Sequence, residues 1–88
     1  MRITFKLFAT LAQYLPREHE GHARVGNELA LDVPEGTTVQ AVVDRFPMPP
    51  ALVHLVLVNG EFILPADRAG HVLREGDALA IWPPIAGG

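Results

Sequence analysis

Hydrophobic and polar residues alternate near the start of the chain and again about twenty-five residues later. Within residues 2–7 every second position is apolar, and the same period of two returns over residues 28–33. This period is that of a strand with one buried face. Residues 53–58 are nearly all apolar and half of them are valine. We interpret that run as a central strand covered on both faces.

Turn residues divide the second half of the chain. Asn59-Gly60 directly follows the apolar run and is a strong signal for a two-residue hairpin, so residues 61–64 are the predicted return strand. Glu75-Gly76-Asp77 predicts another turn, which leads into a last strand over residues 78–82. These signals add two strands to the three that the hydrophobic pattern predicts.

Two stretches have helical periodicity instead. Residues 8–15 carry apolar side chains at positions i, i+3, i+4 and i+7 before Pro16, which predicts a short helix. The main helix is predicted to start at Thr37, as the N-cap of a capping box completed by Gln40. Its apolar face has the same spacing, at Val39, Val42, Val43 and Phe46. Residues 17–27 show no period and predict a surface loop or the turn of a long hairpin.

The element order predicts an α+β roll in which one mixed sheet packs on one main helix. The chain has 88 residues, of which 49% are apolar and 19% charged, so we expect a single folded domain over residues 1–88. The net charge of −3 comes from interspersed charges, which makes nucleic acid an unfavourable partner. No apolar run is long enough for a membrane span, and residues 1–6 do not resemble a signal peptide, so we expect a cytoplasmic location without membrane binding.

Composition excludes several kinds of active site. The chain contains no cysteine and no serine, which removes thiolate metal ligands, disulfides and the Ser or Cys nucleophiles of catalytic triads. His19 and His22, with Glu18 and Glu20 beside them, could form a weak surface metal site. We prefer the interpretation that they belong to a solvated loop, and we predict neither a metal site nor an autonomous enzyme.

The C-terminus carries the remaining candidate chemistry. Pro83-Pro84-Ile85-Ala86-Gly87-Gly88 directly follows the last predicted strand, so the sheet fixes its root. The two prolines favour an extended exit, and six residues reach about 20 Å. Because glycine has no Cβ, such an end can enter a narrow site on another protein. We therefore predict a flexible tail over residues 83–88 that inserts into a partner.

The tail offers one reactive group, the Gly88 carboxylate. A carboxylate is a poor electrophile at neutral pH, and its adenylation by a partner that uses ATP would activate it. Sulfur could then convert it to a thiocarboxylate, or a lysine amine could form an isopeptide. Lys6 is the only lysine, so self-conjugation would have at most one lysine acceptor.

These features together resemble the ubiquitin-like sulfur carriers, which have the β-grasp fold. The family includes the small subunit of molybdopterin synthase and the thiamine-pathway sulfur carrier. The resemblance spans nearly the whole chain. The residues that carry it are Gly36-Thr37-Thr38-Val39, Val58-Asn59-Gly60-Glu61, Leu73-Arg74-Glu75-Gly76-Asp77 and the ending Pro83-Pro84-Ile85-Ala86-Gly87-Gly88. The two prolines make the molybdopterin branch the better match.

The resemblance implies a mixed sheet of about five strands and a specific set of partners. An E1-like enzyme would adenylate Gly88 with ATP, and a persulfide or sulfide donor would supply sulfur. The tail would then insert into the large subunit of molybdopterin synthase and donate that sulfur to a pterin precursor. The chain itself would bind no cofactor and would be the non-catalytic subunit of the synthase.

Partner recognition is expected beside the tail, at Trp82 and Phe62. Alternation places Trp82 opposite Leu79 and Ile81, either as an exposed anchor or as a residue that closes the end of the core. Three other functions remain open. The chain could be a thiamine-pathway or other sulfur carrier, a ubiquitin-like modifier attached to lysines, or an interaction module whose terminal glycines have no role.

Overall fold

The computed structural model describes residues 1–84. In that range the chain forms seven strands, one α-helix and three short 3-10 helices. Their bounds are β1 Arg2–Leu7, β2 Glu18–His19, β3 His22–Ala23, β4 Glu28–Asp32, β5 Leu55–Val58, β6 Glu61–Phe62, β7 Ala78–Trp82, α1 Val39–Arg45, and 3-10 helices Ala9–Tyr14, Pro50–Leu52 and Pro65–Asp67. Five strands form one sheet in the order β4-β1-β7-β5-β6. Only β1 and β7 run parallel; the other neighbouring pairs of this sheet are antiparallel. This mixed sheet with one α-helix is a β-grasp fold, as predicted.

The core lies between the sheet and α1. Alternate residues of β1, β4 and β7 point into it, as their period of two predicts. The helix contributes Val39 and Val42, both fully buried, and Phe46 follows at its end. The ring centroids of Phe46 and Phe5 of β1 lie 5.0 Å apart, which joins the helix end to the middle of the sheet.

The start of α1 differs by one residue from the prediction. Thr38 is the N-cap, and its Oγ1 accepts a hydrogen bond from the backbone N–H of Ala41 at 3.1 Å. Thr37 instead donates its hydroxyl to the carbonyl of Pro34. The predicted capping box is therefore wrong, because the Gln40 side chain donates to Asp44 one turn further along.

The prediction of a central strand covered on both faces is wrong for residues 53–58. Strand β5 covers only Leu55–Val58 and lies next to the two-residue edge strand β6. Val56 and Val58 are buried, whereas Leu55 on the opposite face is 39% exposed. Strand β5 thus has two apolar sides, of which one is buried in the core and the other points away from it.

The predicted turns form, with shorter strands around them. Asn59 and Gly60 both have positive φ, at 51° and 82°, which is the geometry of a type I′ hairpin turn. The return strand ends at Phe62 rather than at residue 64. Residues 17–27 include the small β2–β3 hairpin, and the predicted helix over 8–15 is a 3-10 helix, Ala9–Tyr14.

Candidate functional site

The end of β7 fixes the root of the predicted tail. Strand β7 lies between β1 and β5, so it is hydrogen-bonded on both sides. Near its end, the backbone N–H of His54 donates to the Trp82 carbonyl at 3.3 Å, and that of Phe8 donates to the Ile81 carbonyl at 3.1 Å. Pro83 is buried and Pro84 is exposed. The remaining predicted tail residues, Ile85, Ala86, Gly87 and Gly88, lie outside the described residues.

Trp82 packs on the face of the sheet that α1 does not cover. It alternates with the buried Leu79 and Ile81, as predicted, and is itself half-buried. Its ring stacks on Phe8 with a centroid distance of 4.0 Å and an interplanar angle of 7°. Such a stack holds the indole in one orientation beside the strand end. Trp82 therefore neither closes the core nor stands fully exposed.

Strand register gathers further apolar side chains around Trp82. Directly paired residues of neighbouring strands point to the same side of a sheet. Leu55 pairs with Trp82, and Leu57 pairs with Ala80 on one side and Phe62 on the other. We call this surface the apolar face. It consists of Phe8, Leu55, Leu57, Phe62, Ala80 and Trp82.

The apolar face is accessible at its outer edge. Phe62 is 46% exposed, so the structure places this predicted binding residue at the surface, on the same face as Trp82. Aromatic residues are enriched at protein interfaces. The two predicted binding residues thus share one face of the sheet, with β5 between their strands, but they are not neighbours: Phe62 pairs with Leu57, whereas Trp82 pairs with Leu55.

The other half of the same sheet surface is charged, and we call it the charged face. It consists of Arg2, Lys6, Glu28 and Asp32 on the paired strands β1 and β4. Arg2 Nε lies 3.0 Å from an Asp32 oxygen, and Lys6 Nζ lies 3.7 Å from a Glu28 oxygen. His22 of the small hairpin reaches the second Asp32 oxygen at 2.7 Å. Hydrogen bonds from His22 and Arg2 lower the pKa of Asp32 below its usual value.

The two loop histidines do not form the conceivable metal site. They face each other across the β2–β3 hairpin, but His22 binds Asp32, and the ring of His19 packs edge-on against Phe46 at 5.1 Å. Among residues 1–84, no three His, Cys, Asp or Glu side chains lie close enough together to hold a metal ion. Over the same residues, no helix has the length and apolar character needed to span a bilayer.

Three members of the apolar face are not predicted from the sequence. The pattern predicts Phe8 within the first helix, and Leu55 and Leu57 within a strand covered on both sides. A signal for Phe8 was present, because continuing the alternation of Arg2, Thr4 and Lys6 by one more step places it on the uncovered face. No comparable signal existed for the leucines, since a continuous apolar run does not show which of its faces is covered.

Comparison with known proteins identifies the family. The family model described as the ThiS family matches residues 6–88. The chain belongs to the ThiS family. Its fold is similar to the crystal structure of SAMP1 from Haloferax volcanii, with a TM-score of 0.65 and 24% sequence identity over 100% of both chains. No curated protein sequence matches the chain significantly.

Membership makes this ThiS-family protein one of the ubiquitin-like sulfur carriers. Such small proteins are generally non-catalytic, and they generally work with an E1-like activating enzyme. The family model covers the strand end, the apolar face from Phe8 onward and the Gly-Gly terminus.

Proposed function

We propose that this ThiS-family protein is the sulfur-carrying small subunit of molybdopterin synthase, acting in the cytoplasm. The observation that carries the proposal is the position of the apolar face, which lies directly beside the strand end from which Pro83 and Pro84 lead to Gly88. A partner that docks on Phe62 and Trp82 would hold the root of the tail in a fixed place. The tail would then reach the partner's active site.

In the first reaction, the E1-like partner would use ATP to adenylate Gly88. The carboxylate oxygen attacks the α-phosphorus of ATP, and pyrophosphate leaves. Hydrosulfide then attacks the acyl carbon of the adenylate, and AMP leaves with the electron pair of the broken C–O bond. The product is a C-terminal thiocarboxylate. A persulfide could replace hydrosulfide as donor, in which case a thiol must reduce the acyl disulfide that forms.

In the second reaction, the tail would insert into the large subunit and the thiocarboxylate would give its sulfur to a pterin precursor. Pro83, Pro84, Ile85, Ala86 and Gly87 are the proposed insertion residues, and Gly88 is the reacting one. The chain needs no bound cofactor in this scheme, since ATP is used by the activating partner. The Pro83-Pro84 exit supports the molybdopterin branch over the thiamine branch.

Intact mass spectrometry tests this proposal directly. The protein is incubated with its E1-like partner, ATP and sulfide, and we expect a mass change of one oxygen-for-sulfur exchange. Gly88→Ala and a one-residue C-terminal extension are expected to fold normally and to form no thiocarboxylate. An extended protein that forms one without being trimmed would refute the proposal. Transfer to the pterin precursor by the reconstituted large subunit then tests the branch.

Protein modification is the second candidate, because it uses the same terminus with a lysine amine as nucleophile. The position of Lys6 bears on it. This lysine is the only one in the chain, and its ammonium is paired with Glu28 on the charged face. Self-linked chains are therefore disfavoured, whereas conjugation to other proteins is not. Conjugates would appear as higher bands after incubation with ATP and a cell extract.

A further inference from the structure

A cavity of about 360 Å³ lies on the helix side of the sheet, away from the apolar face. It opens between the last turn of α1 and the proline-rich segment that follows it. Its apolar walls are formed by Val43, Pro47, Met48, Pro50 and Val53. Gln40 and two charged residues, Arg68 and Asp44, complete the lining. The volume falls at the lower end of the range for small-molecule sites, roughly 300–1,000 Å³.

Arg68 is unusual because it is buried without a carboxylate partner. Its residue surface is only 7% exposed. Its Nε and Nη2 donate to the backbone carbonyls of Ile63 and His54, at 3.4 and 3.2 Å. No carboxylate in the described residues lies within 4.0 Å of it. Burial lowers the pKa of the Arg68 guanidinium, which is the expected effect on an uncompensated cation.

The Arg68 guanidinium retains N–H donors that no protein acceptor uses. A guanidinium has five N–H donors, and two carbonyls use only part of them. Within residues 1–84, Nη1 makes no hydrogen bond. In the same part of the chain, no unpaired side-chain nitrogen or oxygen is fully buried, so Nη1 must reach solvent. Because Arg68 lines the cavity, we infer that Nη1 reaches solvent through it.

Asp44 limits the charge of any ligand. Asp44 is an exposed residue of the lining, and its carboxylate accepts a hydrogen bond from Gln40 Nε2 at 2.8 Å. The Asp44 carboxylate therefore does not pair with Arg68, and it repels the negative charge of a ligand in the cavity. A doubly charged phosphate is disfavoured in such a site, whereas a single carboxylate can form a bidentate pair with a guanidinium.

We propose that this cavity binds a carboxylate carried on a short apolar chain. The carboxylate would pair with the free donors of Arg68, and the apolar chain would pack against Val43, Met48 and Val53. This site is separate from the apolar face and from Gly88, and it does not depend on the sulfur chemistry. The ligand is either a free small acid or an acidic side chain of a partner protein.

The alternative is a purely structural role, in which Arg68 only ties residues 54 and 63 together. A titration of the uniformly ¹⁵N-labelled full-length protein with hexanoate distinguishes the two roles. We expect saturable shifts at Val43, Val53 and the Arg68 Nε–H, with a dissociation constant of about 1 mM. Hexanamide, which is neutral and similar in shape, is the matched control and should bind about tenfold more weakly.

A second titration arm separates the two sources of the carboxylate. An acetylated and amidated Leu-Glu-Leu tripeptide presents a side-chain carboxylate without a free terminus. If the tripeptide binds about tenfold more tightly than hexanoate, it supports a partner's acidic side chain; the reverse preference supports a free acid. Either result supports the proposed carboxylate site.

Two variants test the residue assignments. Arg68→Met should abolish hexanoate binding, and its spectrum shows whether it still folds. Asp44→Asn changes only an exposed residue and should tighten hexanoate binding about two- to fivefold by removing repulsion. If Arg68→Met does not fold, the Asp44→Asn variant still tests the proposed site. The proposal is overturned if neither carboxylate gives saturable shifts up to about 20 mM, if hexanamide binds as well as hexanoate, or if Asp44→Asn leaves the affinity unchanged.

Discussion

The two halves of the uncovered sheet surface follow the same backbone pattern and differ only in side chains. On β1 and β4 the outward positions carry Arg2, Lys6, Glu28 and Asp32, which pair across the strands, with Thr4 and Ala30 between the two ion pairs. On β5, β6 and β7 the outward positions carry leucine, phenylalanine, alanine and tryptophan. Exposed ion pairs contribute little stability, so the charged face mainly keeps that half of the sheet in water. The apolar face has no such protection.

This difference is the basis of the docking site that we propose. A small protein gains nothing in solubility from exposed leucine and phenylalanine, and clustered exposed apolar residues mark interaction surfaces. The apolar face adjoins the end of β7, whereas the charged face lies on the other side of that strand. Four substitutions test the difference between the apolar face and the charged face, from the largest expected effect to the smallest.

The largest effect is expected from a charge in the middle of the apolar face. Leu57→Asp should weaken binding to the E1-like partner about 100-fold, because an unpaired carboxylate would be buried in the interface. The fold should persist, since Leu57 points away from the core. Isothermal titration calorimetry measures the affinity. Ala30→Asp is the matched control on the charged side of the same surface. Equal losses for both variants would contradict a docking site confined to the apolar face.

A smaller effect is expected from the aromatic stack that orients Trp82. Phe8→Ala should lower the free energy of unfolding by about 1–3 kcal/mol, of which about 1 kcal/mol is coupling to Trp82. Urea denaturation of Phe8→Ala, Trp82→Ala and the double variant measures that coupling. Strict additivity of the two losses would show that the stack contributes nothing beyond burial.

Because of the charged face, the free energy of unfolding should depend on pH in the acid range. Asp32 has a lowered pKa in the folded protein, so its contribution is fully present above its unfolded pKa of about 3.9. It is lost as the pH falls through the lower folded pKa. Urea denaturation at several pH values between about 5 and 2 should show a steeper fall for the native protein than for Asp32→Asn. Parallel curves would show that the Arg2 and His22 contacts do not stabilise the carboxylate.

The smallest effect is expected at the Lys6–Glu28 pair. Both side chains are substantially exposed and their charged atoms are 3.7 Å apart. Glu28→Gln should change the free energy of unfolding by at most about 0.5 kcal/mol, and less at high salt. Urea denaturation at two ionic strengths checks this. A loss above about 1.5 kcal/mol would mean that the charged face also holds the fold together, unlike an ordinary exposed pair.

The start of α1 shows why some local predictions failed. Both Thr37 and Thr38 are suitable N-caps by residue type. Contacts distant in sequence decide between them, because the Thr37 carbonyl accepts from the Leu73 N–H and the Val39 N–H donates to the His71 carbonyl. These bonds, and the bridge between Thr38 and Val72, hold Thr37 outside the helix. Sequence spacing contains no information about such pairing.

The sequence by itself determined the strand periods, the Asn59-Gly60 turn, the helix face and the side of the sheet on which Trp82 lies. These properties depend on near neighbours, whose spacing sets which side chains share a face. It also supplied the Gly88 terminus, whose chemistry stays a proposal. Only the tertiary structure decided that Leu55 and Leu57 face outward, that Phe8 stacks on Trp82, and that Arg68 lines a cavity. Those outcomes depend on strand order and long-range packing, which a local pattern of apolar residues leaves open.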